Sequence, residues 1–293
     1  IFQSFRNSPS PNAGTSEREN KSLNPKLSGA MTVHEISVPY VLGVDLESSD
    51  FDLSIPNAFG ITTASNVQDT ESLYLQINPE ITKQLKLTVG YRHSSVESDM
   101  KNGFSFPAGL TIEDDVEVRE LGLAYRVDET LKLSLRHDQN FRFAKVDEFA
   151  LVEAGKSLKS QTGDSYEFGY DWGLETVKLT GSIYRLDLNN EIAFDPTVGP
   201  DFGFGPTGAN VNLSRTRRDG LTLSISSRLN PMIHFNTWLG LVDARYETGT
   251  FKGKAISGVA DRIIKLRADF THNQKLSSYL EARYSSAHYA QGD

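Results

Sequence analysis

Polar and apolar residues alternate with a period of two along most of the chain. In Tyr40–Glu47, one face of an extended strand would carry Tyr40, Leu42, Val44 and Leu46, and the other Val41, Gly43, Asp45 and Glu47. The pattern recurs in Leu85–Arg92, Leu131–Arg136, Tyr166–Trp172, Leu221–Ser226, Ile264–Phe270 and Lys275–Tyr284. Side chains of a strand project alternately to its two faces, so this period predicts strands with one apolar and one polar face, roughly eleven or twelve of them. The links between strands differ in length in a regular way. Pro79–Gln84, Val127–Thr130, Gly173–Thr176, Asn230–Met232 and Thr271–Gln274 are short, whereas Ser54–Thr70, Ser94–Asp114, Ala144–Asp164, Asn189–Asn210 and Thr248–Val259 are long. Strict alternation of short and long links places all long loops at one end, the asymmetry of an outer-membrane barrel with tight periplasmic turns and extended outer loops. A soluble sandwich has no reason for it, and such long structureless loops are uncommon in compact domains. The first 26 residues, with Ser8–Asn12 and the polar run Glu17–Lys21, read as a loop, extracellular by the same alternation.

Composition narrows the class. No run approaches the ~18 apolar residues that a spanning helix requires. The 38% hydrophobic content remains compatible with a barrel, because only every second strand residue must face lipid. With no cysteine, disulfide frameworks, thiolate metal sites and cysteine nucleophiles are excluded. A net charge of −8 argues against nucleic acid as a partner. Ile1 opens without a charged region followed by an apolar one, so an exported protein would here be a mature or excised piece.

Candidate chemistry is sparse. Gly203–Gly208 fits G-x-G-x-x-G formally, but the dinucleotide motif needs a preceding strand and a following helix, and a loop is expected instead. Gly155-Lys156-Ser157 lacks the first glycine of a phosphate loop, with Ala150 at that position. The six histidines show no ligand spacing, and the acidic run Glu113–Glu117 reads as a solvated loop end rather than a cation site. No Ser-His-Asp, paired-carboxylate or G-x-S-x-G arrangement is visible, so no catalytic residue is expected. Arg92, Arg119, Arg136, Arg267, Arg283, Asp45, Glu47, Glu167 and Glu281 fall on polar positions. On a lipid face an Arg or Lys would cost about 2–4 kcal/mol at mid-bilayer, so these charges are expected to point inward. The best ligand contacts are aromatic and Gly-rich loop segments: Phe104 and Phe106, and Phe202 and Phe204 in Asp201–Gly205, because rings bury area at low entropic cost.

Several segments resemble one family. Leu158–Gly169 resembles the L-K-P-Q-x-x-x-x-Y-E-x-G strand of TonB-dependent receptors, and Glu120–Arg126 with Leu131–Phe143 resembles their LGLxYR…LxLxxSxxFR hairpin. Ile183–Ile192 is similar to FxxDLxNxI, Asn212–Leu221 to N-x-x-x-T-R-R-x-G (with Thr222 in place of the family's Glu), and Tyr284–Asp293 to YxSxxYxxGD. The resemblance runs in order over about residues 70–293. It implies an all-β, antiparallel transmembrane β-barrel in the bacterial outer membrane. Residues 1–293 would then be a partial barrel domain, about half of 22 strands, without the N-terminal plug and the last strands. It further implies a non-enzymatic receptor that takes up a scarce ligand, most often a ferric siderophore, with energy from TonB acting through the missing plug. Its partners would be the iron chelate and outer-membrane lipid. Phe141–Ala144 partly resembles the F-R-A-P motif of the family's haem receptors, which places Arg142 among the candidate ligand contacts. No resident cofactor or metal is implied. The alternative is a plug-less porin that passes solutes by diffusion; an outer-membrane lipase is a third reading, without a visible nucleophile.

Overall fold

The computed structural model describes all residues except 1, 8–13, 58–59, 103–104, 154, 200–202, 204 and 291–293. In chain order its strands are β1 (Phe2–Asn7), β2 (Thr15–Leu23), β3 (Lys26–Val33), β4 (Ile36–Asn57), β5 (Gly60–Ile77), β6 (Leu85–Asn102), β7 (Phe106–Arg126) and β8 (Leu131–Arg142). A single 3-10 turn, Glu148–Ala150, follows. Then come β9 (Gln161–Gly173), β10 (Val177–Asn189), β11 (Ile192–Asp195), β12 (Ala209–Asn212), β13 (Thr216–Asn230), β14 (Ile233–Tyr246), β15 (Arg262–Asn273) and β16 (Leu276–Ser285). β11 and β12 pair only with each other; the other strands form one antiparallel sheet in the order β1-β2-β4-β5-β6-β7-β8-β9-β10-β13-β14-β15-β16, with β3 also on β4. Each strand of this sheet lies beside its neighbours in sequence, the meander of a barrel wall.

Register converts the alternation into two continuous faces. Leu87, Leu123, Leu135, Phe168, Ile183, Leu221 and Leu241 stand directly opposite one another across seven strands. Leu135 and Ile183 are 54% and 59% exposed, which water would oppose and lipid favours. The adjacent row on the other face is Thr88, Gly122, Arg136, Glu167, Tyr184, Gly220 and Val242. Several charges on this inner face are paired. Arg92 bridges Asp45 at 2.8 Å and donates to the Ser72 hydroxyl at 2.8 Å, and Arg136 lies 3.0 Å from Glu120 and 3.2 Å from Asp138. The Tyr184 ring lies across Gly220, where a Cβ would come within 2.2 Å of it, so only glycine leaves room for that ring.

The short links are built from local hydrogen bonds. His34 and Glu35 both have positive φ (47° and 69°), the requirement of a two-residue hairpin turn whose twist matches the strands. At the β7–β8 turn, the Asp128 carboxylate accepts the N–H groups of Thr130 (2.7 Å) and Leu131 (2.9 Å) and the Thr130 hydroxyl (2.8 Å). Asn230 and Asn273 accept N–H groups in the same way at two later turns.

Four expectations need correction. Residues 1–26 are not all loop: Thr15–Leu23 is a strand in register with Leu46–Ser54 of β4, and Phe2–Asn7 pairs with Ser16–Lys21. The strand continues as β3 beyond Asn24-Pro25, where Pro25 lacks an N–H but its carbonyl still accepts from Val44 at 3.1 Å. The links Ser54–Thr70 and Ser94–Asp114 are mostly strand, because β4–β7 run on for 18 to 22 residues, well beyond the ~9–11 that a tilted crossing needs. Their extra length is rich in charged and small polar residues, which read as loop in the sequence. Among the described residues the sheet path holds thirteen strands, with β3 off it, against the roughly eleven or twelve expected. Arg119 lies opposite Tyr91 in the row next to that of Val89 and Leu121, on the apolar face, with Glu117 as its partner at 3.8 Å. Its row lies beyond the apolar rows toward the long-loop end, where an outward charge need not enter hydrocarbon.

Candidate functional site

At the long-loop end, two connections fold back over the inner face and pack together. The first, residues 143–160, follows β8 yet reaches strands that are not its neighbours. The Gln68 amide donates to the Ala144 carbonyl at 2.9 Å, the Asn66 amide to the Val146 carbonyl at 3.3 Å, and Asp147 pairs with Arg18 of β2. Its apolar residues Ala144, Phe149, Val152 and Leu158 are buried with Met100, Phe106 and Ile192, against Leu110 and Ile112 of β7. Full burial of such side chains contributes about 1.5–3 kcal/mol each, enough to hold a loop that makes few backbone ladder bonds.

The second connection carries the β11–β12 hairpin. Asn210 donates through its backbone to the Leu151 carbonyl (2.6 Å) and through its side chain to the Glu148 carbonyl (2.8 Å). Asn212 and Lys159 exchange two bonds, at 2.8 and 2.9 Å. On its other flank, Glu191 accepts two bonds from Arg218 (2.5 and 3.0 Å) and one from the Thr216 hydroxyl (2.6 Å). Both charged side chains of that pair are more than four-fifths buried, and Thr216 is wholly buried. Tyr246, opposite Thr216, carries the Phe251 ring at 5.7 Å. The two connections therefore form one body across the mouth of the wall, with an aromatic and arginine-bearing inner rim beside it.

Phe106 and Arg142 both belong to this body. Phe106 is buried in its apolar cluster at 8% exposure, and Arg142 grips Glu148 through two bonds at 2.7 and 2.9 Å while reaching the Ile192 carbonyl at 3.4 Å. Phe104, Phe202 and Phe204 lie outside the described residues. The described residues of Gly203–Gly208 precede strand β12 and, among the described residues, no helix follows, so the formal dinucleotide motif has no helix N-terminus there to offer a phosphate. Within the run 113–117, Glu113, Asp115 and Glu117 point outward, and Asp114 points inward to the Ser160 hydroxyl. Among the described residues, no three His, Asp or Glu side chains gather closely enough to hold a metal ion. Asn66, Gln68, Glu191, Asn210 and Arg218 were missed by sequence reasoning. Arg218 was accessible in principle, two residues before Gly220 on the inner face, but nothing in the sequence joins it to Glu191.

The fold matches known proteins. In solved structures, the chain is similar to the ferric-catecholate import receptor Fiu of K12 E. coli (TM-score 0.73, 14% identity), covering 94% of this chain and 46% of that one. It is also similar to the ferric yersiniabactin uptake receptor FyuA of Yersinia pestis (TM-score 0.74, 13% identity, 100% and 46%) and to the copper transporter OprC (TM-score 0.74, 11% identity, 94% and 47%). At these identities the likeness is one of fold, and the chain spans less than half the length of each structure. The sequence model of the "TonB dependent receptor-like, beta-barrel" family matches residues 2–293. The chain thus belongs to the TonB-dependent receptor-like β-barrel family.

Proposed function

We propose that the protein takes up a scarce metal chelate, a ferric siderophore before other cargo, with energy delivered by TonB, and that this chain supplies the outer mouth and inner wall. The observation that carries the reading is the inward-folded body made by the described parts of residues 143–160 and 190–215, which places arginine, aromatic and amide groups over the lumen side. A receptor needs such a surface to capture ligand; a passive pore would be narrowed by it. The named functions of Fiu and FyuA support an iron chelate, whereas OprC shows that a similar wall can serve a different metal. Phe106 and Arg142 enter the proposal as supports of this surface, and Phe104, Phe202 and Phe204, outside the described residues, remain candidate contacts. The decisive experiment is uptake of radiolabelled ferric chelates by cells that express the full-length protein, with and without TonB. Uptake that requires TonB supports the reading. Steady conductance in planar bilayers with TonB-independent solute entry would replace it with the diffusion channel.

A further inference from the structure

Three aromatic rings on the inner face lie along the wall, each over a glycine. Tyr74 of β5 crosses Gly43, its register partner on β4, and Tyr184 of β10 crosses Gly220, its register partner on β13. Trp238 covers Gly240, two residues further along β14. A Cβ at Gly43, Gly220 or Gly240 would meet the ring at 2.3, 2.2 or 2.4 Å, well inside the ~3.5–4.0 Å of an unstrained carbon contact. At all three positions the three nearest atoms belong to the aromatic side chain. A methyl group there would therefore displace the ring rather than the backbone. Two of the rings also carry a cation. The Arg92 guanidinium lies over Tyr74 at 5.4 Å from the ring centre, and the Lys265 ammonium over Trp238 at 5.3 Å. Arg92 is itself fixed by Asp45 and by the hydroxyls of Ser72 and Ser94. A ring seated on glycine and capped by a held cation stays along the wall and out of the lumen.

The wall between these seats is low. The inner row next to Tyr184 and Gly220 reads Ala124, Ser134, Gly169, Ser182, Thr222 and Gly240 across six strands. It leaves a recess of about 340 Å³, bounded by Ser134, Gly169, Ser182, Thr222 and Trp238 among others. A ring turned out from this surface would take lumen width that these positions leave open. The lipid face carries the same kind of seat without that consequence. Tyr40 of β4 crosses Gly29, its register partner on β3, where a Cβ would come within 2.8 Å of the Tyr40 side chain. Packing a ring on a glycine is thus common to both faces, and only on the inner face does it also set the clearance of the passage.

We propose that Gly43, Gly220 and Gly240 are positioning residues for transport, which keep Tyr74, Tyr184 and Trp238 flat so that the lumen stays wide enough for passage. The inference rests on the uptake reading above and adds the wall residues that limit its rate. The test is uptake of two radio-iron chelates, one tris-catecholate and one tris-hydroxamate, by cells that express the full-length protein. Binding of the same chelates to cells without TonB is measured beside it, and folding of each variant is confirmed by heat-modifiable gel migration. Gly220→Ala and Gly43→Ala should bind chelate as the wild type does and take it up about tenfold more slowly, the scale of a modest overpacking strain placed on a rate. Gly220→Ala/Tyr184→Ala should regain the wild-type rate, because no ring is left to lift. Gly29→Ala, the matched seat on the lipid face, should leave uptake unchanged. Wild-type uptake by folded Gly220→Ala and Gly43→Ala would overturn the proposal, as would a double variant that stays slow. Equal loss in Gly29→Ala would overturn it too, by making the seats a packing device alone. Wild-type entry that proceeds without TonB would instead remove the uptake reading. The clearance would then be judged by that entry, with Gly220→Ala again expected to slow it and an equal rate overturning the inference.

Discussion

The two flanks of the wall's outer face solve the same problem differently above their apolar rows. On the flank of β9, β10, β13 and β14, strands of 13 to 15 residues end soon after the apolar rows, and their outward charges mix both signs, so that the like pairs Asp219–Asp243 and Arg217–Arg245 stand beside the opposite pairs Arg185–Asp219 and Asp187–Arg217. On the β4–β7 flank, strands of 18 to 22 residues continue, and like charges face each other: Asp69 opposite Glu97, Glu97 opposite Glu113, and Glu19 opposite Asp50. Directly opposed like charges weaken a strand pair. Their presence in these long strands indicates that the outer face does not hold the extension together. Its inner face does, where Phe149, Met100 and Phe106 are buried under the folded-back connection. Repulsion is tolerable there because the extension projects beyond hydrocarbon into a medium where charges are hydrated and screened.

Phe149→Ala tests this most severely. Truncating a buried Phe costs about 3–5 kcal/mol, and the loss should fall on the docking of residues 143–160. Hydrogen exchange at those amides and in the β11–β12 hairpin packed on them should accelerate and proteolysis within the segment should appear, while β9, β10, β13 and β14 stay protected. Uniform loss of protection in both flanks would show that the extension is not stabilised separately. Glu191→Ala comes next. It strands Arg218 in a largely buried position and removes the acceptor of the Thr216 hydroxyl, a cost of about 1–3 kcal/mol. Exchange should rise in β11–β12 and the start of β13 and leave β4–β7 unchanged.

Sequence made the apolar rows legible because lipid enforces the alternation wherever a strand crosses it. Ile183, Leu221 and Leu241 are assigned to one face by that rule alone. Beyond the hydrocarbon the rule lapses. Gln68–Thr70 is wholly polar and Glu113–Glu117 carries four carboxylates in five positions, a composition that reads as loop. Arg119 was turned inward by an argument that holds only at membrane depth. The mouth was least legible. Gln68 and Ala144 are 76 residues apart in sequence, and their bond depends on a connection crossing several strands of the inner face, which no local pattern encodes. Phe106 and Arg142 were picked for ring and charge, and the structure gives them packing and a Glu148 partner within the folded-back body.

Smaller effects separate the flanks by salt. Glu97→Lys would place a cation between Asp69 and Glu113 and should stabilise the extension by about 0.2–1 kcal/mol. Added salt should stabilise the wild-type extension by screening repulsion and should do the reverse in the variant. On the opposite flank, salt should weaken the Arg185–Asp219 pairing, since it screens attraction. A double-mutant cycle in urea at two ionic strengths reads both signs, and identical salt responses in the two flanks would remove the distinction.

The least effect is expected at the turn that joins the flanks, between β7 and β8. The Thr130 hydroxyl, followed by the N–H groups of Thr130 and Leu131, holds the Asp128 carboxyl below the usual carboxylate range. All three donors favour the ionised form. A carboxyl whose folded pKa lies below its unfolded value binds fewer protons when folded. Its contribution is therefore fully present above the unfolded value and fades as pH falls through the folded one. Asp128 is fully exposed, so the consequence should be local fraying of the Val127–Leu131 turn in acid, seen as faster amide exchange at Thr130 and Leu131. Asp128→Asn keeps an acceptor oxygen but removes the titrating charge. It should leave exchange at these two amides independent of acid over the same range, after correction for the intrinsic rate. If the acid response persisted in that variant, it would belong to the flanking strands, and the two flanks would be coupled through this turn rather than independent.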